Sequence, residues 1–354
     1  MEADQTSQAA GNFLIYGAGA IGTYIGGSLA LQGHRILFLE RPEVAEELRQ
    51  QGMCLNINEQ EHQIDAPRMA GSLEEALEQG PYEIAIFALK SFDTQSALNK
   101  MAPYREKMPP ILCLQNGVEN EAALAAVLGK EKVIAGTVTS AIGRRAAGDI
   151  VLERHRGMGV AADNPISPYL VDVFNAAGLN ARLYRHGADM KWSKMITNLL
   201  GNATSAILDM TPTQIFENPK LHRLEVNQLR EALKVMAALH LSTVDLPDTP
   251  VRALTFAVRS LPVALSRTLM KNAVGSGRGD KMPSFYIDLH SGRGKSEVDY
   301  LNGAVVRQGE QLGIPTPVNR LLNNTLLALT QGELPLDTYA HQPDKLLKEL
   351  DQKA

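Results

Sequence analysis

Asn12-Phe-Leu-Ile-Tyr-Gly17-Ala-Gly19-Ala-Ile-Gly22 decides the fold of the N-terminal half. Four apolar or aromatic residues, Phe13, Leu14, Ile15 and Tyr16, run into three glycines, and a helix-like run over residues 23–31 follows. The pattern is a buried strand, a tight turn and a helix start. Gly17 permits the turn, Gly19 lets a pyrophosphate approach the backbone, and Gly22 lets the helix pack close to the strand. The helix N-terminus offers free N–H groups and a positive dipole end to phosphates. Alone, a Gly-x-Gly-x-x-Gly turn is weak evidence. With a strand before it, a helix after it and a second apolar strand over residues 35–39, it points to a dinucleotide.

The totals bound the rest. At 354 residues the chain is long for one core, so two domains are expected. Hydrophobic residues at 44% and charged residues at 21% are those of a soluble globular protein, and a net charge of −4 gives no basic footprint for nucleic acid. Cys54 and Cys113 are far apart in unlike contexts; they suggest neither a disulfide framework nor a metal site and fit a reducing cytoplasm. The first ten residues are polar and lack a signal pattern, and no uninterrupted apolar run approaches the roughly 20 residues that span a bilayer. No membrane, nucleic-acid or metal partner is therefore expected. A homodimer is compatible with the sequence, which does not decide it. Residues 1–11 read as a disordered tail.

The second strand ends at Glu40-Arg41, the place in such a fold that meets the adenosine ribose. A carboxylate there favours NADH by bonding the 2′-hydroxyl; an arginine favours NADPH by pairing with a 2′-phosphate. Both are present. A hairpin is expected over residues 54–64. A third buried strand, residues 82–89, ends at Lys90-Ser91, and another, residues 111–114, ends at Gln115-Asn116-Gly117. Residues just past strand C-termini line the ligand crevice of an open α/β sheet, so Lys90 and Asn116 are candidates for cofactor or substrate contact; turn chemistry alone would also explain Asn116. Further strands are expected at 133–138, 149–153, 157–162 and 181–184, with a basic loop at 143–148.

From about residue 186 the pattern turns almost wholly helical. Lys194, Asn198 and Asn202 are spaced i, i+4, i+8, which puts them on one face of a continuous helix among Met195, Ile196, Leu199 and Leu200. Polar groups on a buried face need partners, from a ligand or from a structural network. Lys191 reads as a solvated end. Long helices are expected at 221–241 and 319–330, a helix broken at Pro262 within 251–272, and a flexible glycine loop at 275–280 that lacks the Lys-Ser/Thr of a P-loop. Ser284 comes next, and the run Ser296-Glu297-Val-Asp-Tyr-Leu-Asn-Gly303 opens a helix expected to run to Gln311, where Glu297 could serve simply as a first-turn acid. Residues 336–354 read as a polar tail.

Taken together, Gly17-Ala-Gly-Ala-Ile-Gly22, Leu89-Lys90-Ser91, Asn116-Gly117, Lys194-x-x-x-Asn198-x-x-x-Asn202, Ser284 and Ser296-Glu297 resemble the ketopantoate reductase (2-dehydropantoate 2-reductase) family over residues 12–330. The resemblance implies an α/β fold: a Rossmann-type N-terminal domain, residues 12–185, and an all-helical C-terminal domain, residues 186–335. It implies a 2-dehydropantoate 2-reductase that reduces the 2-oxo group of ketopantoate with NADPH, on the route to pantothenate and coenzyme A. It implies that Lys194 is the general acid, and that Glu297 holds the substrate hydroxyl and orients the lysine. Asn198 and Asn202 would bond the substrate, Ser284 its carboxylate, and Lys90 and Asn116 would sit beside the cofactor. Arg41 matches the 2′-phosphate arginine; Glu40 before it opens NADH as an alternative. Residues 242–282 are longer than the family needs, and there is one extra residue between Asp288 and Glu297. These departures motivate a second reading, reduction of another 2-oxo acid or an imine; a non-catalytic dinucleotide sensor is the third.

Overall fold

The computed structural model describes residues 10–262 and 281–353. Residues 1–9 of the tail expected over 1–11, the glycine loop at 275–280 and the part of the 251–272 segment beyond residue 262 lie outside the described residues; Gly11 is not part of a tail but buried, its N–H donating to His34 Nδ1 at 3.0 Å. The chain forms two compact units. The first comprises the residues up to Leu89, Asp93–Gln115 and Asn120–Gly187; the second comprises Lys90–Phe92, Asn116–Glu119 and the chain from Ala188 onward.

Among the described residues of the first unit there are twelve strands: β1 (Asn12–Tyr16), β2 (Arg35–Leu39), β3 (Met53–Ile57), β4 (Gln60–Ile64), β5 (Arg68–Ala70), β6 (Ile84–Phe87), β7 (Ile111–Cys113), β8 (Val133–Val138), β9 (Ala141–Ala146), β10 (Asp149–Arg154), β11 (Met158–Ala161) and β12 (Ala181–Tyr184). Eight of them form one sheet in the order β12-β11-β8-β7-β6-β1-β2-β5. β1 pairs in parallel with β2 on one side and β6 on the other, so the winding direction reverses at β1. That reversal is the switch point at which Rossmann sheets take their ligand.

Strand periodicity explains the continuous apolar run of β1. Phe13 and Ile15 enter one core with Tyr24, Ile25 and Leu29, while Leu14 and Tyr16 enter the core of the opposite face with Leu98 and Met101. A strand covered on both faces has no polar side to show. Above one face, a smaller sheet in the order β4-β3-β10-β9 packs on the Ala20–Leu31 helix. The expected basic loop at 143–148 is largely strand: Gly143, Arg144, Arg145 and Ala146 belong to β9, which pairs antiparallel with β10. β9 is an edge strand with its arginines in solvent, so burial leaves no alternation in its sequence.

The second unit is helical. The main correction falls on residues 194–202. The helix is not continuous: Gly187–Leu199 ends, Gly201 takes a left-handed conformation (φ 64°), and Asn202–Leu208 begins a new helix. The Asn202 side chain repairs the break by donating to the Asn198 carbonyl at 3.1 Å, where a helical N–H would otherwise have bonded. Buried Glu225 holds the other side, accepting from the Gly201 N–H at 2.8 Å and from the Thr204 hydroxyl. Lys191, expected at a solvated end, is only 4% exposed.

Three longer helices, Pro219–Ala238, Val298–Gln311 and Pro317–Gln331, are joined by a buried polar chain. Asn302 donates to Gln228 at 2.8 Å and to Asn319 at 3.1 Å. Glu231 accepts the Val318 and Asn319 N–H groups at 2.9 and 3.0 Å, meeting the open donors at the start of the last of these helices. The expected polar tail also folds: Pro343–Lys353 is a helix, Leu346 and Tyr339 are buried, and the His341 N–H donates to the Leu208 carbonyl at 2.7 Å. No helix among the described residues is long and apolar enough to cross a membrane.

The glycine turn yields a paired prediction. A Cβ at Gly22 would lie 1.8 Å from the Gly17 carbonyl oxygen, whereas a Cβ at Gly19 would meet nothing within 4 Å. Gly22→Ala should therefore cost about 1–3 kcal/mol through overpacking, read as a lowered Tm. Gly19→Ala should leave the Tm unchanged and weaken dinucleotide binding. Equal effects on Tm would contradict this division of labour.

Candidate active site

The candidate site residues fall into two groups, one in each unit. In the first, Gly17 (φ 103°) turns the chain out of β1 and its N–H donates to the Leu39 carbonyl at 2.9 Å. Glu40, at the end of β2, is fixed against this turn: it accepts from the Ala18 N–H at 3.0 Å and from the Arg41 N–H at 3.0 Å. The Arg41 side chain is 76% exposed, with its Nε 3.6 Å from Glu40. Gly19 has a φ of −74° that any residue adopts, and no protein atom would touch its Cβ. Neither conformation nor packing within the protein demands glycine there, which fits a residue kept small for a pyrophosphate pressed against the backbone. The residues present thus fit a dinucleotide.

In the second unit, Glu297 is the centre. It is 1% exposed and lies immediately before the Val298–Gln311 helix, so its position there is that of an N-cap. One carboxylate oxygen accepts from the Ser91 N–H at 3.2 Å and the Ser91 hydroxyl at 3.1 Å; the other accepts from Lys90 Nζ at 2.8 Å and Asn116 Nδ2 at 3.5 Å. Asn116 in turn accepts from Asn198 Nδ2 at 2.9 Å. Asn202 donates to the Ser284 hydroxyl at 3.3 Å and accepts from the Phe285 N–H at 3.0 Å. Asp288, one turn after Ser284 on the Ser284–Leu289 helix, accepts from Lys90 Nζ at 3.2 Å. Arg307 holds the segment that bears Asn116, forking onto Glu119 at 3.2 and 2.7 Å.

The network thus gathers Lys90, Asn116, Asn198, Asn202, Ser284 and Glu297. Lys194 is half-buried one turn before Asn198 on the same helix, and its carbonyl accepts from the Thr197 hydroxyl at 2.7 Å. Gly17, Gly19, Gly22 and Arg41 belong to the dinucleotide turn and the adjoining end of β2. Asn202 is 2% exposed and its carboxamide is engaged by protein groups on both sides. Sequence reasoning assigned no role to Asp288 or Ser91. The i, i+4 relation of Ser284 to Asp288 was the available signal for the first; Ser91 carries no signal beyond its place after Lys90.

The charges are strongly coupled. Burial pushes the Glu297 carboxyl up, but the Lys90 charge and the Ser91 hydrogen bonds outweigh it and hold the group below its ordinary value. Asp288 is pushed up by burial, aided by the like charge of Glu297 and opposed by Lys90. Burial alone would lower the Lys90 ammonium, but Glu297 and Asp288 raise it, so it stays cationic. Two carboxyls are thus displaced in opposite directions around one ammonium.

A glycine turn of Rossmann build and a buried lysine–carboxylate–amide cluster on helices define an oxidoreductase that works with a dinucleotide. The sequence places it further: residues 13–163 match the ketopantoate reductase PanE/ApbA family and residues 188–330 match that family's C-terminal domain, so the chain belongs to the ketopantoate reductase family. It is 26% identical over 326 residues to 2-dehydropantoate 2-reductase of Archaeoglobus fulgidus, covering 90% of this chain and 97% of that one. It is 24% identical over 330 residues to the enzyme of the same name from Aquifex aeolicus, covering 89% and 96%. Among solved structures it resembles a PanE/ApbA family ketopantoate reductase from Ralstonia eutropha, with a TM-score of 0.76, 26% identity and coverage of 91% and 99%. It shares its fold with D-mandelate dehydrogenase solved with NADH and anilino(oxo)acetate, with a TM-score of 0.73, 22% identity and coverage of 91% and 99%.

The ion cluster makes a pH-dependent prediction. Lys90→Met removes the cation of Glu297 and the nearer cation of Asp288, which keeps Arg293 at 3.8 Å. The lysine side chain is 36% exposed, so solvent already screens part of the interaction, and the loss should be about 2 kcal/mol, below the range for a fully buried pair. Glu297, with its lowered pKa, stabilises the wild type above the ordinary carboxylate value of 4.5 and stops doing so as pH falls through its folded value. In the variant the buried Glu297 carboxylate is relieved by protonation, so stability falls as pH rises. The stability gap between wild type and variant should be largest near pH 8 and shrink toward pH 5 in denaturant titrations. A gap independent of pH would contradict the coupling.

Proposed function

We propose that this protein is a 2-dehydropantoate 2-reductase, reducing the 2-oxo group of ketopantoate to the hydroxyl of pantoate on the route to pantothenate and coenzyme A. The observation that carries the reading is the Glu297 network, which assembles Lys90, Asn116, Asn198 and Ser284 around one buried carboxylate on a chain of this family. When bound, the reduced nicotinamide supplies the hydride. The chain supplies binding, orientation and a proton. Lys194 donates a proton to the carbonyl oxygen as charge develops there. Ser284 accepts from Asn202, which leaves its own O–H to donate to the substrate carboxylate. Asn198 orients the oxo acid, and Glu297 accepts the substrate hydroxyl. Asn202 acts by holding Ser284 and the helix break rather than by touching the substrate. Lys90 and Asn116 fix the Glu297 carboxylate and border the cofactor.

Two adjacent residues govern the cofactor. Arg41, with its exposed guanidinium, supports NADPH as the principal reductant. Glu40, fixed against the Ala18 N–H, supports use of NADH as well, because a carboxylate there bonds a free 2′-hydroxyl and repels a 2′-phosphate. A different 2-oxo acid or an imine is the second reading, favoured by the extra residue between Asp288 and Glu297 in the segment that bears Ser284. A cofactor sensor without catalysis would need neither Lys194 nor Glu297.

Initial rates with ketopantoate, NADPH and NADH, beside a panel of bulky 2-oxo acids, test the assignment. Ketopantoate should be the best substrate; turnover far below that on another oxo acid would reject it. Lys194→Ala should keep cofactor binding and lose ~10²–10⁴-fold in kcat; unchanged turnover would refute the acid role. Arg41→Ala should weaken NADPH about tenfold or more while sparing NADH, and Glu40→Gln should shift preference toward NADPH by a similar factor. Equal effects on the two cofactors would mean that neither residue reads the phosphate.

A further inference from the structure

The reaction as proposed gives no task to Asp288, although it is 3% exposed and as close to the site as Glu297's own partners. Its cations are Lys90 at 3.2 Å and Arg293 at 3.8 Å, the latter on a side chain 54% exposed. Glu297 has both oxygens engaged, by Ser91 on one side and by Lys90 and Asn116 on the other. To accept a substrate hydroxyl it must release a donor. Ser91 holds it through its backbone N–H and through a hydroxyl that also faces the Asn116 carbonyl at 2.9 Å, and Asn116 is anchored to Asn198; the Lys90 ammonium, on its flexible stem, is the partner with a second carboxylate within reach. That side chain is 36% exposed, so an ammonium let go by Glu297 could swing into solvent and leave a buried carboxylate with no counter-charge.

We propose that Asp288 is a positioning residue that keeps the Lys90 ammonium in the site while Glu297 exchanges it for the substrate hydroxyl. The inference rests on the proposed role of Glu297 in oxo-acid binding. The geometry suits the exchange: Lys90 Nζ bridges the two carboxylates, 2.8 Å from Glu297 and 3.2 Å from Asp288, so moving from one to the other takes a small rotation of its last bonds. Asp288 and Ser284 lie one turn apart on the same short helix, which couples the anchor of the lysine to the residue proposed to hold the substrate carboxylate. The upward displacement of Asp288 and the downward displacement of Glu297 fit a pair in which Glu297 stays ionised throughout.

The test is a double-mutant cycle of Asp288→Asn and Lys90→Gln, with two readouts. The first is the titration of the Lys90 amine by NMR of ¹³C-methylated lysines in the cofactor-free protein, assigned by loss of the signal in Lys90→Gln. Asp288→Asn should lower that pKa by about one unit. The second is steady-state kinetics with the oxo acid at saturating NADPH: Asp288→Asn should raise KM about tenfold with kcat nearly unchanged, and should cost nothing further in the Lys90→Gln background. Asp288→Glu, which keeps the charge, should leave the Lys90 titration in place, and it carries the comparison if the asparagine variant does not fold. An unmoved Lys90 titration in Asp288→Asn, or the same kinetic penalty with and without Lys90, would overturn the proposal. The titration needs no turnover, so a protein that reduces no oxo acid would sink the proposed function while the NMR still decides whether Asp288 holds the lysine.

Discussion

A carboxylate removed from water has to be met by donors, and the structure of the helical unit is arranged around meeting Glu297. Its four donor contacts come from Lys90, Ser91 and Asn116, residues that follow β6 and β7 in sequence yet pack with the helices. The cost of burying this charge is offset by a neighbouring ammonium and by hydrogen bonds on both oxygens. Removal of any one donor leaves the others with an unsatisfied partner, which makes the cluster act as a unit.

The same logic recurs at a distance from the candidate site. Glu225 braces the break between the helices bearing Asn198 and Asn202, and Glu231 holds the start of the Pro317–Gln331 helix. Burial drives the Glu231 carboxyl up, while N–H groups at the helix start pull it back. Neither carboxylate is a candidate for chemistry. They fix the backbone at Gly201, between Asn198 and Asn202, and at the start of the Pro317–Gln331 helix.

How much of this was legible in the sequence differs by residue. The Phe13–Tyr16 run and the glycines after it are readable because a strand buried on both faces and a turn under steric constraint leave little choice of residue type. The polar residues of the candidate site were legible as types at the right order and spacing. The break at Gly201 was not, because Leu199 and Leu200 continue the helical period and the carboxamide that repairs the break looks like one more polar residue on a face. β9 escaped notice because an exposed edge strand has no burial pattern. Asp288 escaped because its partner Lys90 lies 198 positions away in the chain, and a long-range ion pair leaves no local trace. The helix over Pro343–Lys353 was hidden by its many charges, although Leu346 anchors it.

In the proposed reaction a 2-oxo acid is held by Ser284 and Glu297 while Lys194 protonates the reacting oxygen. The most direct test is isotopic. Turnover of ketopantoate with NADPH deuterated at the transferable C4 position, followed by mass spectrometry of the product, should give pantoate carrying one deuterium at C2. Consumption of the cofactor without a labelled 2-hydroxy acid, or no consumption with ketopantoate or any other oxo acid, would contradict the account.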